Sequence, residues 1–425
     1  MRGLWRLRQS GFLRGVAAIA GGTLLAQLFN FLLLPVLARL YTPEAMGLWG
    51  IFISFVTVAA VLTTLRYEVA IVTAGSEEDA LALTWSALIL SVPMGLLGGV
   101  ALEVMRRANI LGYGGLPPEA FFFGFVTLTA TAWGTVVRYY AIRQGMFGFV
   151  GRFSVAQGIA RPVSQILLSV MGSVGLLWGE ALARFLGLSA LWRILPRPSG
   201  PFWRLDILLR FRTSPLIQTP SVFLNNVALM ALVPIFVSLY GPAVGGALAL
   251  AQRAVGLPVS LVGMAVGDVF YSRVAQLLRT NPRMIRPLFL ATSVRMFLLA
   301  LPVGLFLSFG APFMVSWLFG EPWALAGKMM SIMAPWMMGQ LVLTSVGRVV
   351  FLSRFPWIKL FYDSLSVLIM STVFLVPLPP EGALLLLTWL YVVLYFSYWL
   401  VIWWLTYEEN LSLALPFGRG DLEGK

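Results

Sequence analysis

Long apolar stretches, separated by short polar or basic segments, run along the whole chain. An α-helix of roughly 20 such residues crosses the hydrocarbon core of a bilayer, so the pattern predicts an all-α integral membrane protein with about twelve transmembrane helices. The predicted helices cover residues 15–38, 47–65, 81–104, 121–137, 153–171 and 174–191 in the first half, and 216–239, 244–266, 287–309, 324–346, 360–376 and 384–405 in the second half.

The two halves share a motif at a constant offset of 199 residues. The segment Leu232–Gly246 (LVPIFVSLYGPAVGG) aligns without a gap on Leu33–Gly47 (LLPVLARLYTPEAMG), with six identities in fifteen positions. Each copy is interpreted as an apolar helix that ends in a Tyr-x-Pro turn and precedes a second apolar helix. This repeat predicts a duplicated transporter of two six-helix lobes, and the even number of helices per lobe gives both lobes the same orientation.

Composition supports the membrane assignment. The 425 residues are 59% hydrophobic and 11% charged, with a mean hydropathy of +0.87, whereas about a quarter of a soluble domain is charged. The absence of cysteine and histidine excludes disulfides, thiolate chemistry and the commonest metal ligand. The acidic trio at Glu77, Glu78 and Asp79 is interpreted as a solvated loop rather than a metal site. The sequence therefore favours transport over catalysis.

Positive charges are distributed unevenly between the predicted loops. The formal net charge is +13, and almost all of the basic residues are arginines. If the N-terminus is cytoplasmic, 22 of the 30 Lys and Arg lie in inside segments and four lie in outside loops. This asymmetry predicts that both termini are cytoplasmic, and in a membrane chain it indicates anionic lipid or phosphate as partners rather than nucleic acid.

The apolar stretches and the loop charges together divide the chain into five segments. They are an N-terminal cytoplasmic tail of residues 1–14, a first lobe of residues 15–192, a basic and proline-rich cytoplasmic linker of residues 193–213, a second lobe of residues 214–406, and a cytoplasmic tail of residues 407–425.

Six segments, in a fixed order along most of the chain, carry a family resemblance. They are RGVAAIAGGTLLAQ, LARLYTPEAMGLWGIF and LRYEVAIV in the first half, and FRTSPLIQTPS, ALAQRAVGLPVSLVG and VGDVFYSRVAQ in the second half. With these segments the chain resembles the Wzx-type oligosaccharide flippases, also called polysaccharide biosynthesis proteins. That family belongs to a superfamily that includes the multidrug and toxin extrusion (MATE) antiporters and the lipid II flippase MurJ.

The resemblance implies a fold, a cargo and a location. The implied fold is a V of two six-helix lobes, with a central cavity that opens alternately to the two membrane faces. The implied cargo is an oligosaccharide on an undecaprenyl pyrophosphate carrier, flipped to the outer leaflet of the inner membrane of a prokaryote for O-antigen, capsule or exopolysaccharide assembly. Membrane lipids, a polysaccharide polymerase and chain-length machinery are the other implied partners; no cofactor is implied.

Three alternatives stay open. A drug or cation antiporter of the same superfamily needs acidic groups in its cavity, whereas the expected bilayer midplane carries four arginines against one glutamate. A flippase for lipid II-type peptidoglycan precursors is the second alternative. A membrane enzyme, such as a glycan polymerase or ligase, needs a large outside loop with catalytic residues, which this sequence lacks.

Arginines near the midplane are the main candidate ligands for the pyrophosphate, because a charge there costs several kcal/mol unless it is paired or hydrated. They are Arg161, Arg184, Arg253 and Arg295. Glu180 precedes Arg184 by four residues, so a structural ion pair is the alternative for that arginine. Arg161 has no acid nearby in the sequence and is interpreted as a cavity ligand; for Arg253 the alternative is a packing contact between lobes.

Amides in helices 1 and 7 form a second group of candidates. They bind sugar hydroxyls or join helices by hydrogen bonds, and they are Gln27, Asn30, Gln218, Asn225 and Asn226.

Two prolines and three acids are candidates for gating or coupling. Pro35 and Pro234 occupy the same place in the two repeats and predict a bend in each helix. Glu180 is the most central candidate for proton or sodium coupling. Glu68 and Asp268 are weaker candidates, and interfacial ion pairs with Arg66 and Arg273 are the alternative for them.

Overall fold

The computed structural model describes residues 21–191, 195–196, 201–212, 214–355, 357–373, 375–407 and 410–411. Nearly all of these residues are helical, as the apolar pattern predicts. Within these ranges the one β-bridge joins Ser353 to Leu411. The predicted tail 1–14 and most of the predicted tail 407–425 lie outside the described residues.

The described residues of the first half form nine helices. They are α1 (residues 21–32), α2 (Leu34–Leu40), α3 (Pro43–Thr64), α4 (Tyr67–Thr73), α5 (Glu77–Arg107), α6 (Ala120–Arg143), α7 (Phe147–Leu167), α8 (Ser173–Leu191) and α9 (Leu205–Arg210). Short 3-10 turns at Ile110–Gly115 and Ser169–Met171 lie in the connections after α5 and α7.

The second half forms eight helices in its described residues. They are α10 (Thr219–Met230), α11 (Leu232–Tyr240), α12 (Pro242–Pro258), α13 (Met264–Thr280), α14 (Ile285–Phe319), α15 (Ala324–Val346), α16 (Trp357–Val373) and α17 (Pro380–Leu405). A π-helical turn at Ser214–Gln218 precedes α10, and another at Val259–Gly263 joins α12 to α13.

Nine segments of the described chain are long and apolar enough to cross a membrane. Each of them overlaps one of the predicted transmembrane helices. The other three predicted helices correspond to α7, α8 and α16; α16 has 17 residues, and α7 carries two arginines. The predicted number of twelve transmembrane helices therefore stays a prediction.

Both copies of the repeated motif contain a helix break next to the shared proline. In the first copy the helix is interrupted at Leu33 and resumes as α2, which has Pro35 in its first turn. In the second copy α10 is interrupted at Ala231 and resumes as α11, which contains Pro234. Proline lacks an N–H and clashes with the preceding turn, which accounts for both breaks.

The two repeats contact each other through the same residues. The two helices that follow the motif, α3 and α12, begin at Pro43 and Pro242. A Cβ on Gly47 would lie 2.8 Å from the carbonyl carbon of Pro242, and a Cβ on Gly246 would lie 2.8 Å from that of Pro43. Because each glycine meets the other repeat's proline, the contact is isologous, as in a two-fold dimer.

The described chain forms two compact units. The first contains the residues up to Leu250 together with Trp317–Trp323, and the second contains the remainder. The second unit has its own apolar core, in which residues of α13, α14 and α17 such as Phe270, Phe289 and Ile402 are buried. The division of the chain into lobes at the linker 193–213 stays a prediction.

Part of the predicted linker is folded against the first unit. Helix α9 buries Ile207 and Leu208 in the apolar cluster formed by α4, α5 and α6. The backbone N–H of Arg204 donates to the Ser86 hydroxyl at 3.0 Å, and the Tyr67 hydroxyl donates to the Leu208 carbonyl at 3.0 Å. The described end of this basic stretch is therefore docked rather than extended.

Candidate functional site

Three charged side chains meet inside the first unit, where α7 and α8 pack beside α6. The Glu180 carboxylate is fully buried between two arginines. Its Oε1 accepts from Arg184 Nη2 at 2.7 Å and from Arg184 Nε at 3.0 Å, and its Oε2 lies 3.1 Å from Arg161 Nε. We call Arg161, Glu180 and Arg184 the arginine–glutamate cluster. It carries one net positive charge.

Small residues of α8 bring this helix close to α7. Gly175 and Gly179 are four residues apart and face α7: a Cβ on Gly179 would lie 2.8 Å from the Gln165 nitrogen, and one on Gly175 would lie 2.9 Å from the Leu168 carbonyl carbon. Glycines at this spacing allow membrane helices to approach backbone to backbone. The short interhelical distance lets Arg161 of α7 reach the carboxylate on α8.

Arg184 is held on two sides. Besides its bonds to Glu180, its Nη1 donates to the Thr131 hydroxyl of α6 at 2.6 Å. The Thr131 hydroxyl donates in turn to the Thr127 carbonyl at 2.5 Å, which fixes its orientation. Only 13% of the Arg184 side chain is exposed. Arg184 therefore connects α6 to α8 and forms the i,i+4 pair with Glu180 that the spacing predicts.

Arg161 is the more accessible cation of the cluster. Its side chain is 28% exposed, and its two terminal NH₂ groups form no hydrogen bond with the described residues. Arg161 has no acidic residue nearby in the sequence, and the α7–α8 hairpin brings Glu180 beside it. The carboxylate holds the Nε side of the guanidinium, which leaves the other edge able to bind an anion bidentately.

The other two candidate arginines are not part of this cluster. Arg253 lies in α12 of the second unit, is partly buried and has an interaction partner. Arg295 lies in α14 of the same unit and is exposed. A role for either of them in binding stays a prediction.

The candidate amides have different surroundings. Asn30 is buried, and its Nδ2 donates to the carbonyls of Ala26 at 2.7 Å and Gly158 of α7 at 2.8 Å. Asn226 Nδ2 donates to the Thr57 carbonyl of α3 at 3.1 Å. The bonds to Gly158 and Thr57 are the interhelical hydrogen bonds of the alternative interpretation. The remaining three amides are exposed or partly buried: Gln27, Asn225 and Gln218.

Glu68 forms the ion pair expected from the sequence. Its carboxylate is buried and lies 3.2 Å from Arg66 Nη1. The pair follows a break between α3 and α4 at which Leu65 and Arg66 have φ of 48° and 61°. Two consecutive non-glycine residues in the left-handed region cost of order 1–3 kcal/mol each, so this break is a strained joint.

Asp268 pairs with Arg348 and not with Arg273, so that partner assignment is wrong. Residues five apart on a helix point in different directions, and Arg273 Nη1 instead donates to Gln276 at 2.6 Å. Arg348 reaches Asp268 from the 3-10 turn after α15.

The acidic trio at the start of α5 also pairs with arginines. Glu77 lies 3.2 Å from Arg143 Nε, and Asp79 lies 3.1 Å from Arg210 Nη1. In the part of the chain that the structure describes, no group of acidic residues could hold a metal ion.

A family model described as "Polysaccharide biosynthesis protein" matches residues 36–327. The chain belongs to this family. This polysaccharide biosynthesis protein is also 25% identical over 315 residues to the succinoglycan biosynthesis transport protein ExoT of Rhizobium meliloti (strain 1021). That alignment covers 72% of the chain and 62% of ExoT, so the chain spans less than two thirds of the relative's length.

Two solved structures show the fold. The lipid II flippase MurJ in an inward closed conformation is similar with a TM-score of 0.69 at 14% identity, over 90% of this chain and 87% of MurJ. A multidrug resistance MATE family transporter of the MOP superfamily is similar with a TM-score of 0.57 at 15% identity, over 88% of this chain and 93% of the transporter. The predicted family and the MATE- and MurJ-like membrane fold are confirmed.

Proposed function

We propose that this protein flips oligosaccharides linked to undecaprenyl pyrophosphate from the cytoplasmic to the outer leaflet of the inner membrane by alternating access, for surface polysaccharide assembly. The observation that supports this most strongly is the arginine–glutamate cluster. It places net positive charge within helices predicted to cross the membrane, in a member of the polysaccharide biosynthesis family.

The chemistry of the cluster suits a diphosphate that must bind and then leave. The free edge of Arg161 offers two parallel donors, the arrangement that matches a phosphate group. Glu180 holds both arginines in place, and it also balances one of their two charges. A fully uncompensated pair of arginines would retain the anion more tightly, which would oppose release on the other side. We therefore assign Glu180 to positioning, ahead of the proton or sodium coupling considered from the sequence.

The charge of the cluster also discriminates between cargoes. A cationic drug would be repelled by the net positive charge, which disfavours the antiporter alternative. A lipid II-type precursor carries the same diphosphate and would bind the cluster in the same way. The family and ExoT, whose name includes succinoglycan transport, favour an exported polysaccharide.

Transport in liposomes tests this proposal. The purified protein is reconstituted with a fluorescent undecaprenyl-pyrophosphate oligosaccharide, and a membrane-impermeant reagent reports how much of it reaches the outer leaflet. We expect protein-dependent flipping of this lipid. Matched vesicles carry lipid II or a cationic dye. Transport of the dye in place of the lipid-linked oligosaccharide would contradict the proposal, and transport of lipid II alone would assign the precursor alternative.

A further inference from the structure

Arg138 lies within a membrane helix, although the sequence pattern places it in a loop. Helix α6 extends to Arg143, so Arg138 is one and a half turns inside its end, about 7.5 Å along the axis. That end is fixed, because Arg143 donates to the carbonyls of Ile71, Ala74 and Ser76. Arg138 is therefore carried on a rigid helix toward the membrane interior.

Arg138 shares one face of α6 with two threonines. Thr131, Thr135 and Arg138 follow one another at spacings of four and three residues, so their side chains line up along the helix. All three are partly exposed, whereas Val136 and Val137 on the other side are buried. The Cα–Cβ bond of a helical residue tilts toward the N-terminus, which directs Arg138 along this face toward Thr131.

Helix α7 carries a matching polar face. Ser154, Gln157 and Arg161 have spacings of three and four residues and are partly exposed, while Phe153 and Gly158 are buried. Both faces end at the arginine–glutamate cluster, since Arg161 belongs to it and Thr131 accepts from Arg184. Because α6 and α7 are consecutive and antiparallel, both polar faces run from the cluster toward the predicted cytoplasmic side.

Among the described residues, no acidic side chain forms an ion pair with the Arg138 guanidinium. Its Nε is buried without a hydrogen-bond partner among the described residues. A charged side chain at this depth faces water or a ligand rather than hydrocarbon, because a lipid-facing arginine is too costly. The polar face of α6 thus borders a water-filled space. Arg138 is the member of this face that lies nearest the predicted cytoplasmic side.

We propose that Arg138, with Gln157 on the facing side of the path, forms a second binding site for the diphosphate group, on the cytoplasmic side of the arginine–glutamate cluster. The two sites are about 10 Å apart along α6, from the seven-residue separation of Thr131 and Arg138. A diphosphate reaches Arg138 first and then exchanges to Arg161 without losing cationic contact. The direction in which the diphosphate moves, from Arg138 to Arg161, rests on the proposed function. Binding of a diphosphate at Arg138 is testable by itself.

Thiol protection in this cysteine-free chain tests the site. Thr135→Cys places one thiol between the two sites, and the rate at which a charged thiosulfonate converts this thiol to a mixed disulfide is measured with increasing farnesyl diphosphate. We expect the diphosphate to slow this modification. Adding Arg138→Gln should raise the half-protecting concentration by about tenfold, the effect of losing one charge-assisted contact. Arg138→Lys should give a smaller rise, because it keeps the charge without the planar fork.

Arg152→Gln is the matched control. Arg152 is an exposed arginine of α7 whose guanidinium lies 5.9 Å from the Phe149 ring, on the face opposite Arg161. Its loss should leave protection unchanged. Equal protection in the Arg138→Gln and parent proteins, or an equal loss in Arg152→Gln, would overturn the site. If farnesyl diphosphate still protects the thiol when all three cluster residues are changed to Gln, the diphosphate binds at Arg138 independently of the cluster. That result would support the Arg138 site even if the cluster had no role in flipping.

Discussion

Gly47 and Gly246, which occupy the same position in the two repeats, lie backbone to backbone: a Cβ on Gly47 would be 3.0 Å from the Gly246 nitrogen, and a Cβ on Gly246 would be 2.8 Å from the Gly47 nitrogen. The identities that reveal the duplication in the sequence are therefore also the residues through which the copies touch. The glycines are required at this contact because any side chain would separate α3 from α12.

Gly246→Ala should destabilise the protein by about 1–3 kcal/mol, the range for overpacking, because its methyl group would overlap the Pro43 carbonyl. Gly256→Ala is the control in the same helix, since a Cβ there meets no atom within 4 Å. It should be neutral or slightly stabilising, because alanine is the better helix former. Thermal unfolding in detergent measures both. Equal effects at the two positions would contradict the close contact.

The break at each repeat proline predicts motion where the repeats meet. Spin labels on Glu44→Cys and Ala243→Cys, beside Pro43 and Pro242, should show a short distance that matches the contact between α3 and α12, and a second, longer distance when substrate or ions shift the populations. Pulsed dipolar spectroscopy reports both distances. One narrow distance under every substrate and ion condition would show that this contact does not open.

Glu180 should be important for stability mainly because it forms buried ion pairs with Arg161 and Arg184. Glu180→Gln leaves two cations facing each other in a buried setting, and removal of one partner from a buried ion pair costs about 3–5 kcal/mol. Also changing Arg184 to Gln should recover part of the loss. Unfolding of the two single variants and the double variant measures this coupling. Strictly additive effects would show that the two residues act independently.

The docked part of the linker should weaken in acid. Arg204 Nη2 donates to the Asp206 carboxylate at 2.7 Å, and this hydrogen bond lowers the pKa of Asp206 from its usual value of 3.8. A lowered folded-state pKa gives stability that is present above the unfolded pKa, about 3.9, and is lost as the pH falls through the folded value. The effect is small because the pair is exposed.

Asp206→Asn should therefore unfold at a lower temperature than the parent at pH 7, and this gap should narrow as the pH falls below the unfolded pKa of about 3.9. Thermal unfolding of both proteins across this range tests the sign. A gap that stays constant or widens in acid would show that the ion pair with Arg204 is not its source.

Local features of this fold follow from the sequence. The predicted helix at residues 324–346 coincides with α15 (Ala324–Val346), and the repeat prolines mark helix breaks. The pair of Glu180 with Arg184 follows from helical spacing alone. Each of these features depends on residues that lie within a few helical turns of one another. Sequence patterns predict structure well over this range.

The parts that could not be predicted depend on contacts between helices. Arg161 meets Glu180 because glycines bring α7 and α8 together, and Asp268 meets Arg348 across two elements. The hydropathy pattern ends the predicted helix at Val137, before Arg138, whereas α6 continues to Arg143. The threonines at spacings of four and three residues before Arg138 are the signal that extends this helix.

The most direct test of the central claim is the flipping of lipid-linked oligosaccharide by the variant Arg161→Gln/Glu180→Gln/Arg184→Gln. Changing Glu180 as well removes the cluster's net charge without leaving a buried carboxylate unpaired. Glu180→Gln/Arg184→Gln, which keeps Arg161, is the matched control. We predict that the triple variant folds, inserts into liposomes and flips at least about tenfold more slowly than the control, the effect of losing one charge-assisted contact. Flipping by the triple variant at the rate of the unaltered protein would contradict the assignment of this cluster to the diphosphate.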